Sequence, residues 1–350
     1  MRRFAIVFAM LVLALPSFAQ QQQPFQERVD VNVVLLDVIV TDAKGNQILG
    51  LSKDDFIVKE NGVEQPVETI DYFTNRQLLD ARESNAPFKV ENVREERYFI
   101  FFFDKPTDNQ AALFDQLTVA REAARKFIRE EMRPGDRVAV AAHDVRLKIF
   151  SDFTSDKAQL EKAINDSARF GRGLERPTSD NGILQNLSRD EMIKRTGRVY
   201  EAIRVLADAL RPIRGRKNLV LFSPGIVEQD ETVNGGIIVN RSRYLDPMLE
   251  ALNAANVTVY PLQLQRDPDT TPLFHQRLEE MAQVTGGQYF RFNTSFVTPL
   301  DRIENVNNGY YLLTYRSRKA PGERGFQKVS VSVKNPEFRV VARSGYQYGG

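Results

Sequence analysis

Two acidic residues follow the end of a long apolar run. Residues 98–103 read YFIFFF, Asp104 comes directly after them, and Asp108 stands four positions later. A run this apolar is typical of a strand buried on both faces of a sheet. A carboxylate at its end has three interpretations: a metal ligand, a catalytic acid, or the remnant of either.

Catalytic motifs are missing around these carboxylates. Enzymes that transfer phosphoryl groups through an aspartate place an acid two residues later, where this chain has Pro106. It has neither a GxxxxGK[ST] loop nor a Gly-x-Ser-x-Gly elbow. With no cysteine and only His143 and His275, a thiol nucleophile is excluded, and a multi-histidine zinc site or a Ser-His-Asp triad is disfavoured. We therefore predict structural histidines and no enzymatic activity.

Composition indicates a folded, globular protein. The 350 residues are 42% hydrophobic and 27% charged, which suffices for about two domains. The balance of 48 basic and 46 acidic residues gives no electrostatic reason to expect a nucleic-acid partner. An exported chain without cysteine must be stabilised by packing rather than disulfides.

The N-terminus has the three regions of a secretory signal peptide. Arg2 and Arg3 precede an apolar stretch over 4–15, and small residues lead to a cleavage site after Ala19. We predict a signal peptide over 1–19, a mobile lead-in over 20–30, and export to the periplasm or the extracellular space. Since no later segment is long and apolar enough to span a bilayer, no integral membrane segment is expected after cleavage.

The two ends of the mature chain read as strands. Residues 31–75 contain an apolar strand and a hairpin around the turn signal Asn61-Gly62, and 309–350 contain three strands separated by Pro/Gly turns. Residues 76–97 are polar and read as a linker. Because few strands are available at either end, we predict that both ends pair in one β-sandwich-like domain.

Between these ends, over 98–308, strands alternate with helices. This alternation predicts an α/β fold with a doubly wound, mostly parallel, Rossmann-like sheet, inserted in the β domain. The expected elements, besides strands that include 98–103, are helices over 111–131, 156–167, 190–210, 243–253 and 271–284 and a short strand over 288–290.

The segments LTVAREAARKFI, PGDRVAV, FTSDKAQLEKAI, GRKNLVLFSPG and VTVYPL, after the strand that ends at Asp104, resemble a von Willebrand factor type A (VWFA) domain. The flanking segments LLDVIVTDAKGNQILGLSKDDFIVKENGVEQPVE and GYYLLTYRS make the chain similar to the secreted VWFA-related family common in Acidobacteria. The resemblance covers nearly all of the mature chain. It implies a binding or adhesion module.

The resemblance also implies a metal-ion-dependent adhesion site (MIDAS), whose first loop reads Asp-x-Ser-x-Ser. Asp104 keeps the first position, but Pro106 replaces the first serine and Asp108 the second. The threonine of the second loop aligns with Gly197, one place after Thr196.

At the third loop, where the family has Thr-Asp-Gly, the chain reads Ser223, Pro224 and Gly225. The resemblance therefore implies a degenerate site in which Asp104 and Asp108 remain as possible ligands of Mg²⁺ or Ca²⁺. A positive charge on Lys105 would oppose a cation if the side chain folded inward.

A second interpretation of Asp104 and Asp108 is structural: they could accept backbone hydrogen bonds and cap the helix that starts near Gln110. On this interpretation no cofactor is bound. Our prediction is therefore a binding protein whose metal site is degenerate.

We predict that a protein partner docks at the carboxyl-terminal edge of the parallel sheet. The expected contact residues are Asp104, Thr107, Asp108 and Ser223, with the long irregular stretches 170–189 and 224–240 beside them. Two alternatives stay open: a divalent-cation-dependent adhesion module, and a structural envelope component without ligand binding.

Overall fold

The computed structural model describes most of residues 30–348, and all structural statements below concern the described residues. These are residues 30–43, 45–74, 90–91, 96–105, 111–169, 182, 184, 187–213, 215–226, 231–233, 236–238, 243–264, 272–319 and 325–348. The predicted signal peptide, most of the lead-in and linker, and the predicted site residues Thr107 and Asp108 lie outside them.

Strands and helices alternate in the middle of the described chain, and strands predominate at its ends. The strands are β1 (Asp30–Thr41), β2 (Phe56–Glu60), β3 (Val63–Gln65), β4 (Thr69–Thr74), β5 (Val90–Glu91), β6 (Tyr98–Asp104), β7 (Arg137–His143), β8 (Leu147–Thr154), β9 (Lys217–Ser223), β10 (Glu231–Val233), β11 (Gly236–Ile238), β12 (Val257–Gln263), β13 (Gly309–Lys319), β14 (Gly325–Val333), β15 (Arg339–Ala342) and β16 (Gly345–Tyr348). The helices are α1 (Ala111–Glu130), α2 (Lys157–Asp166), α3 (Arg189–Arg195), α4 (Val199–Leu210), α5 (Leu245–Ala254), α6 (Pro272–Thr285) and α7 (Val297–Val306). Within the described residues, none of these helices has both the length and the apolar character needed to cross a membrane.

The central sheet has the strand order β12-β9-β6-β7-β8. Its strands are parallel except for β8, which pairs antiparallel to β7 through an irregular register. The first strand of this region, β6, thus lies in the middle, with β7 on one side and β9 on the other. This confirms the predicted α/β class with a mostly parallel sheet. It also creates a topological switch point between β6 and β9, the place where ligands bind in open sheets of this kind.

Helices cover both faces of this sheet, so successive side chains of each strand enter two different hydrophobic clusters. In β6, Ile100 and Phe102 pack on the face covered by α4 and α5, called here the α4 face. Phe99, Phe101 and Phe103 pack on the opposite face with α1, α2 and α7, called the α1 face. Burial of each phenylalanine contributes roughly 1.5–3 kcal/mol to folding.

The prediction of one helix over 190–210 is wrong, because the chain breaks between α3 and α4. The hydroxyl of Thr196 donates to the carbonyl of Met192 and accepts a hydrogen bond of 3.0 Å from the Leu147 backbone N–H. A tertiary contact with β8 therefore stabilises the break between α3 and α4. Helical periodicity in the sequence does not reveal such a contact.

Two further details of the α/β region differ from the sequence pattern. The pattern does not predict β8, since Lys148 and Asp152 interrupt its apolar run, yet both side chains are buried. Instead of a strand over 288–290, the structure has an isolated parallel bridge between Leu262 and Phe290. Within the predicted linker, β5 pairs with β4.

Strands from both ends of the chain pair with one another. One sheet has the order β15-β1-β13-β4-β5 and the other the order β16-β14-β2-β3. Their side chains share one hydrophobic cluster that includes Leu36, Val58, Tyr311 and Tyr346. The predicted hairpin joins β2 and β3, with Asn61 and Gly62 both at positive φ, as its turn requires.

Candidate functional site

Four polar side chains end four neighbouring parallel strands on the α4 face. They are Gln263 of β12, Ser223 of β9, Asp104 of β6 and His143 of β7, and are called here the polar row. The strand register aligns Gln263 with Ser223 and Asp104 with His143. In each strand, residues at alternate positions before the polar one pack in the α4-face cluster, and the polar residue continues that series. The row crosses the switch point between β6 and β9.

Asp104 and Ser223 form the centre of the row. The Ser223 hydroxyl donates a hydrogen bond of 2.6 Å to Oδ2 of Asp104, and Ser223 Oγ accepts one of 3.1 Å from the Gly225 N–H. Asp104 is 6% exposed and Ser223 is fully buried. This short contact satisfies one carboxyl oxygen inside the protein, so Asp104 is not presented to solvent as an open ligand.

His143 lies on the other side of Asp104. Its Nδ1 is 3.7 Å from Oδ1 of Asp104, and its Nε2 is 3.1 Å from the carbonyl oxygen of Thr196. Because a carbonyl only accepts hydrogen bonds, Nε2 must carry a proton. A neutral ring therefore has its lone pair on Nδ1, facing Asp104. Thr196, predicted one place from the family's threonine, lies in the same group, but its hydroxyl is engaged by Met192 and Leu147.

The side chain of Lys105 folds inward, the case in which its charge would oppose a cation. Its side chain is 3% exposed, Nζ donates 2.9 Å to the Arg169 carbonyl, and Nζ lies 4.0 Å from Oδ2 of Asp144. Its contact with the ring of Phe150 places the ammonium on the α1 face, whereas Asp104 is on the α4 face. Asp144 also receives a 2.5 Å hydrogen bond from Lys148. The positive charge beside Asp104 in sequence thus lies on the opposite face of the sheet, near Asp144.

The other end of the row continues into a chain of polar contacts that the sequence analysis missed. Tyr289 Oη donates 3.2 Å to Oε1 of Gln263 and lies 2.9 Å from Nδ1 of His275. Burial raises the pKa of Tyr289 to about 12. Gln263 is 1% exposed, and its Nε2 has no hydrogen-bond partner among the described residues. The sequence pattern that could have identified Gln263 is a polar residue at the end of each apolar strand, at a position whose side chain falls on the α4 face.

Part of the predicted docking rim over 170–189 is anchored. Leu184 is buried in the α4-face cluster, and its N–H donates 2.8 Å to Oδ2 of Asp152. Gly182 lies so close to this carboxyl group that a side chain there would overlap it. The described end of the stretch is therefore packed over the α4 face. The remainder lies outside the described residues.

The described residues do not form a divalent-cation site. No group of three or more His, Asp or Glu side chains among them is arranged to hold a metal ion. Within the polar row only Asp104 carries a carboxyl group, Ser223 occupies its Oδ2, and Pro224 has no side-chain oxygen. One engaged carboxylate falls short of the oxygen set that Mg²⁺ or Ca²⁺ requires. Of the four predicted contact residues, the structure brings Asp104 and Ser223 together.

Strand order and the polar row define the class of the α/β part: a doubly wound protein with polar groups at its topological switch point. No protein-family model and no curated protein matches the chain.

Solved structures give distant similarities. An aerotolerance-related membrane protein from Bacteroides fragilis is 14% identical, with 60% of this chain and 98% of that chain covered and a TM-score of 0.38. BatB from Bacteroides thetaiotaomicron is 17% identical, with 60% and 96% covered and a TM-score of 0.37. A von Willebrand factor type A protein from Catenulispora acidiphila is 9% identical, with 72% and 66% covered and a TM-score of 0.41. At these identities and TM-scores the similarities carry no weight for fold or function.

Proposed function

We propose that this chain is an exported, non-enzymatic binding protein that recognises a protein partner at the carboxyl-terminal edge of its parallel sheet. The α/β part would be a VWFA-like domain inserted in a β-sandwich-like domain formed by both ends of the chain. Residues 1–19 would direct export to the periplasm or the extracellular space.

The observation that carries this proposal is the polar row at the switch point. Open α/β sheets bind ligands where the strand order reverses, and here that place holds Asp104 hydrogen-bonded to Ser223. Both side chains are buried, so their role in the proposal is to fix the backbone from which the loops after β6 and β9 leave the sheet. Thr107 and Asp108 follow β6 and would supply the contacts themselves.

We propose that recognition does not depend on a metal ion. The described ligand set is incomplete, and Ser223 already engages Asp104, so a cation would have to displace an internal hydrogen bond. Calorimetric titration of the full-length mature protein with Mg²⁺, Ca²⁺ and Mn²⁺ tests this. We expect no heat of binding at millimolar metal. Saturable heat that disappears in Asp108→Asn would instead support the divalent-cation-dependent alternative.

Docking at the sheet edge is tested by comparing a variant at this edge with a variant on another surface of the same protein. Tagged mature protein is cross-linked to the envelope and culture-medium fractions of its source, and the captured partner is identified. Thr107→Ala/Asp108→Ala should lower its capture about tenfold or more if these residues form the contact. The matched control is Lys162→Ala on α2, whose side chain is 79% exposed.

Capture that is equal in the wild type, the edge variant and the control would refute docking at this edge. Failure of the wild type to capture any specific partner would favour the structural envelope component. These variants avoid Asp104 and Ser223, because replacing buried residues would test stability rather than recognition.

A further inference from the structure

A cleft lies between the β-strand region and the α/β region, lined by residues of both. Its volume is about 570 Å³. One wall is formed by Thr41, Ala43, residues 45–47, Leu49 and β15, the other by α7 and residues 287–288, and Tyr72 and Tyr260 also line the cleft. The volume is within the range of roughly 300–1,000 Å³ that is usual for small-molecule sites.

Two arginines from opposite walls give the cleft a positive charge. Arg302 belongs to α7 and Arg339 to β15, and both are exposed. No aspartate or glutamate is among the described residues that line the cleft. Neither arginine forms an ion pair with another described residue. Like charges that face one cleft without a counter-charge favour an anionic ligand.

The wall opposite α7 is held in place by internal hydrogen bonds. Tyr72 Oη donates 3.0 Å to Oε1 of Gln47, and Gln47 Nε2 donates 3.1 Å to the Val306 carbonyl and 2.8 Å to the Gly309 carbonyl. These bonds cross from the loop after β1 to the end of α7, so they fix the distance between the two walls. A ligand would enter a preformed cleft and would not have to order it.

We propose that this cleft binds a small organic carboxylate, with Arg302 and Arg339 as the groups that bind its anionic oxygens. The planar guanidinium matches a carboxylate by two parallel hydrogen bonds, a geometry that lysine cannot supply. Gln288, Tyr72 and Tyr260 add neutral polar and aromatic surface suited to the rest of such a molecule. This site is separate from the docking edge and does not depend on the proposed protein partner.

The test is isothermal titration calorimetry of the mature protein with citrate and with D-glucuronate as carboxylate probes. Inorganic phosphate and D-glucose serve as a non-carboxylate anion and a neutral sugar. We expect saturable binding of at least one carboxylate and none of glucose. In Arg302→Gln/Arg339→Gln the dissociation constant should rise about a hundredfold, or about tenfold for each arginine.

The matched control is Arg129→Gln/Arg211→Gln, which removes two exposed arginines, one in α1 and one directly after α4, that do not line the cleft. It should bind like the wild type. Circular dichroism and the melting temperature check that both variants are folded, which we expect because all four arginines are exposed. Binding of neither carboxylate, binding of phosphate alone, or equal weakening in both double variants would overturn the proposal.

Discussion

Ser223 is the residue that connects two strands at the switch point. Its hydroxyl donates a hydrogen bond of 2.6 Å to Asp104 and accepts one from the Gly225 N–H, and the residue is fully buried. A serine at the end of an apolar strand therefore has a structural role that does not depend on which partner binds above it. The contribution of its hydrogen bond with Asp104 to the stability of the protein can therefore be measured.

We predict that Ser223→Ala lowers the free energy of unfolding by about 1.5–3 kcal/mol, since it leaves Oδ2 of Asp104 buried without its donor. Urea denaturation measures the change. Ser330→Ala on β14 is the control, because that serine is exposed and should cost less than about 0.5 kcal/mol. Equal effects of the two substitutions would contradict the importance of the Asp104 contact.

Lys217, at the start of β9, gives a prediction about pH. Its buried ammonium donates 2.8 Å to the Ile213 carbonyl and 2.9 Å to the Gly215 carbonyl. Burial lowers the pKa of Lys217 from 10.5 to about 8. Between these values the unfolded chain binds more protons than the folded one, so stability should rise with pH from about 8 to about 10, by roughly 2 kcal/mol.

The measurement is the free energy of unfolding in urea at several pH values over that window, compared with Lys217→Met. The variant lacks the titrating group, so its curve should rise less steeply. Parallel curves would rule out the lowered pKa. Above pH about 10 the tyrosines, whose pKa values burial raises, make stability fall again: for Tyr289 and Tyr311 the pKa is about 12.

At the scale of elements, close backbone approaches decide where α6 and β12 meet. Gly287 follows α6, and a Cβ built there would overlap the carbonyl oxygen of Val259 in β12. At Gly197, between α3 and α4, a Cβ would meet only the end of the Arg146 side chain, at 2.7 Å. A flexible side chain can move away and a strand backbone cannot.

Gly287→Ala should therefore destabilise the protein by about 2 kcal/mol or more, in the range of overpacked cores, whereas Gly197→Ala should change stability by less than about 1 kcal/mol. Thermal unfolding of both variants measures the difference. If the Gly287→Ala protein is as stable as the Gly197→Ala protein, β12 and the end of α6 can move apart without loss of stability.

At the scale of the whole molecule, a buried charge network joins the two ends of the α/β region, where the chain enters it and leaves it. Arg97, just before β6, makes two hydrogen bonds of 2.7 Å to Asp136 and lies 3.4 Å from Glu304 of α7. Glu304 also pairs at 2.6 Å with Arg133 and accepts 3.1 Å from Asn308. The network thus ties the entry into the α/β region to its exit, since β6 begins after Arg97 and β13 begins after Asn308.

We predict that Arg97→Met costs about 3–5 kcal/mol of unfolding free energy, because it leaves buried carboxylates without their main partner. The control is Arg137→Met, whose ion pair with Glu96 is exposed and should contribute less than about 1 kcal/mol. Guanidinium denaturation compares the two. Similar costs would mean that Arg133 alone compensates Glu304 and that solvent reaches Asp136.

Much of the architecture follows from local patterns. The apolar runs that end at Asp104 and Ser223 predict buried parallel strands, and Asn61-Gly62 predicts the hairpin turn, because these features depend on neighbours in sequence. The break at Thr196 and the strand β8 escape prediction, because a hydrogen bond to Leu147 and the burial of Lys148 depend on distant parts of the chain.

For the candidate site, the sequence by itself determined that polar residues end the strands and that Pro106 and Pro224 interrupt the adhesion-site pattern. Only the tertiary structure decided which of these residues meet. Register across four strands brings Gln263, Ser223, Asp104 and His143 into one row, whereas alternation along the chain places Lys105 on the opposite face. The reason is physical: strand alternation sets the face of each side chain, but pairing between segments that are distant in sequence, 119 residues for Asp104 and Ser223, sets its neighbours.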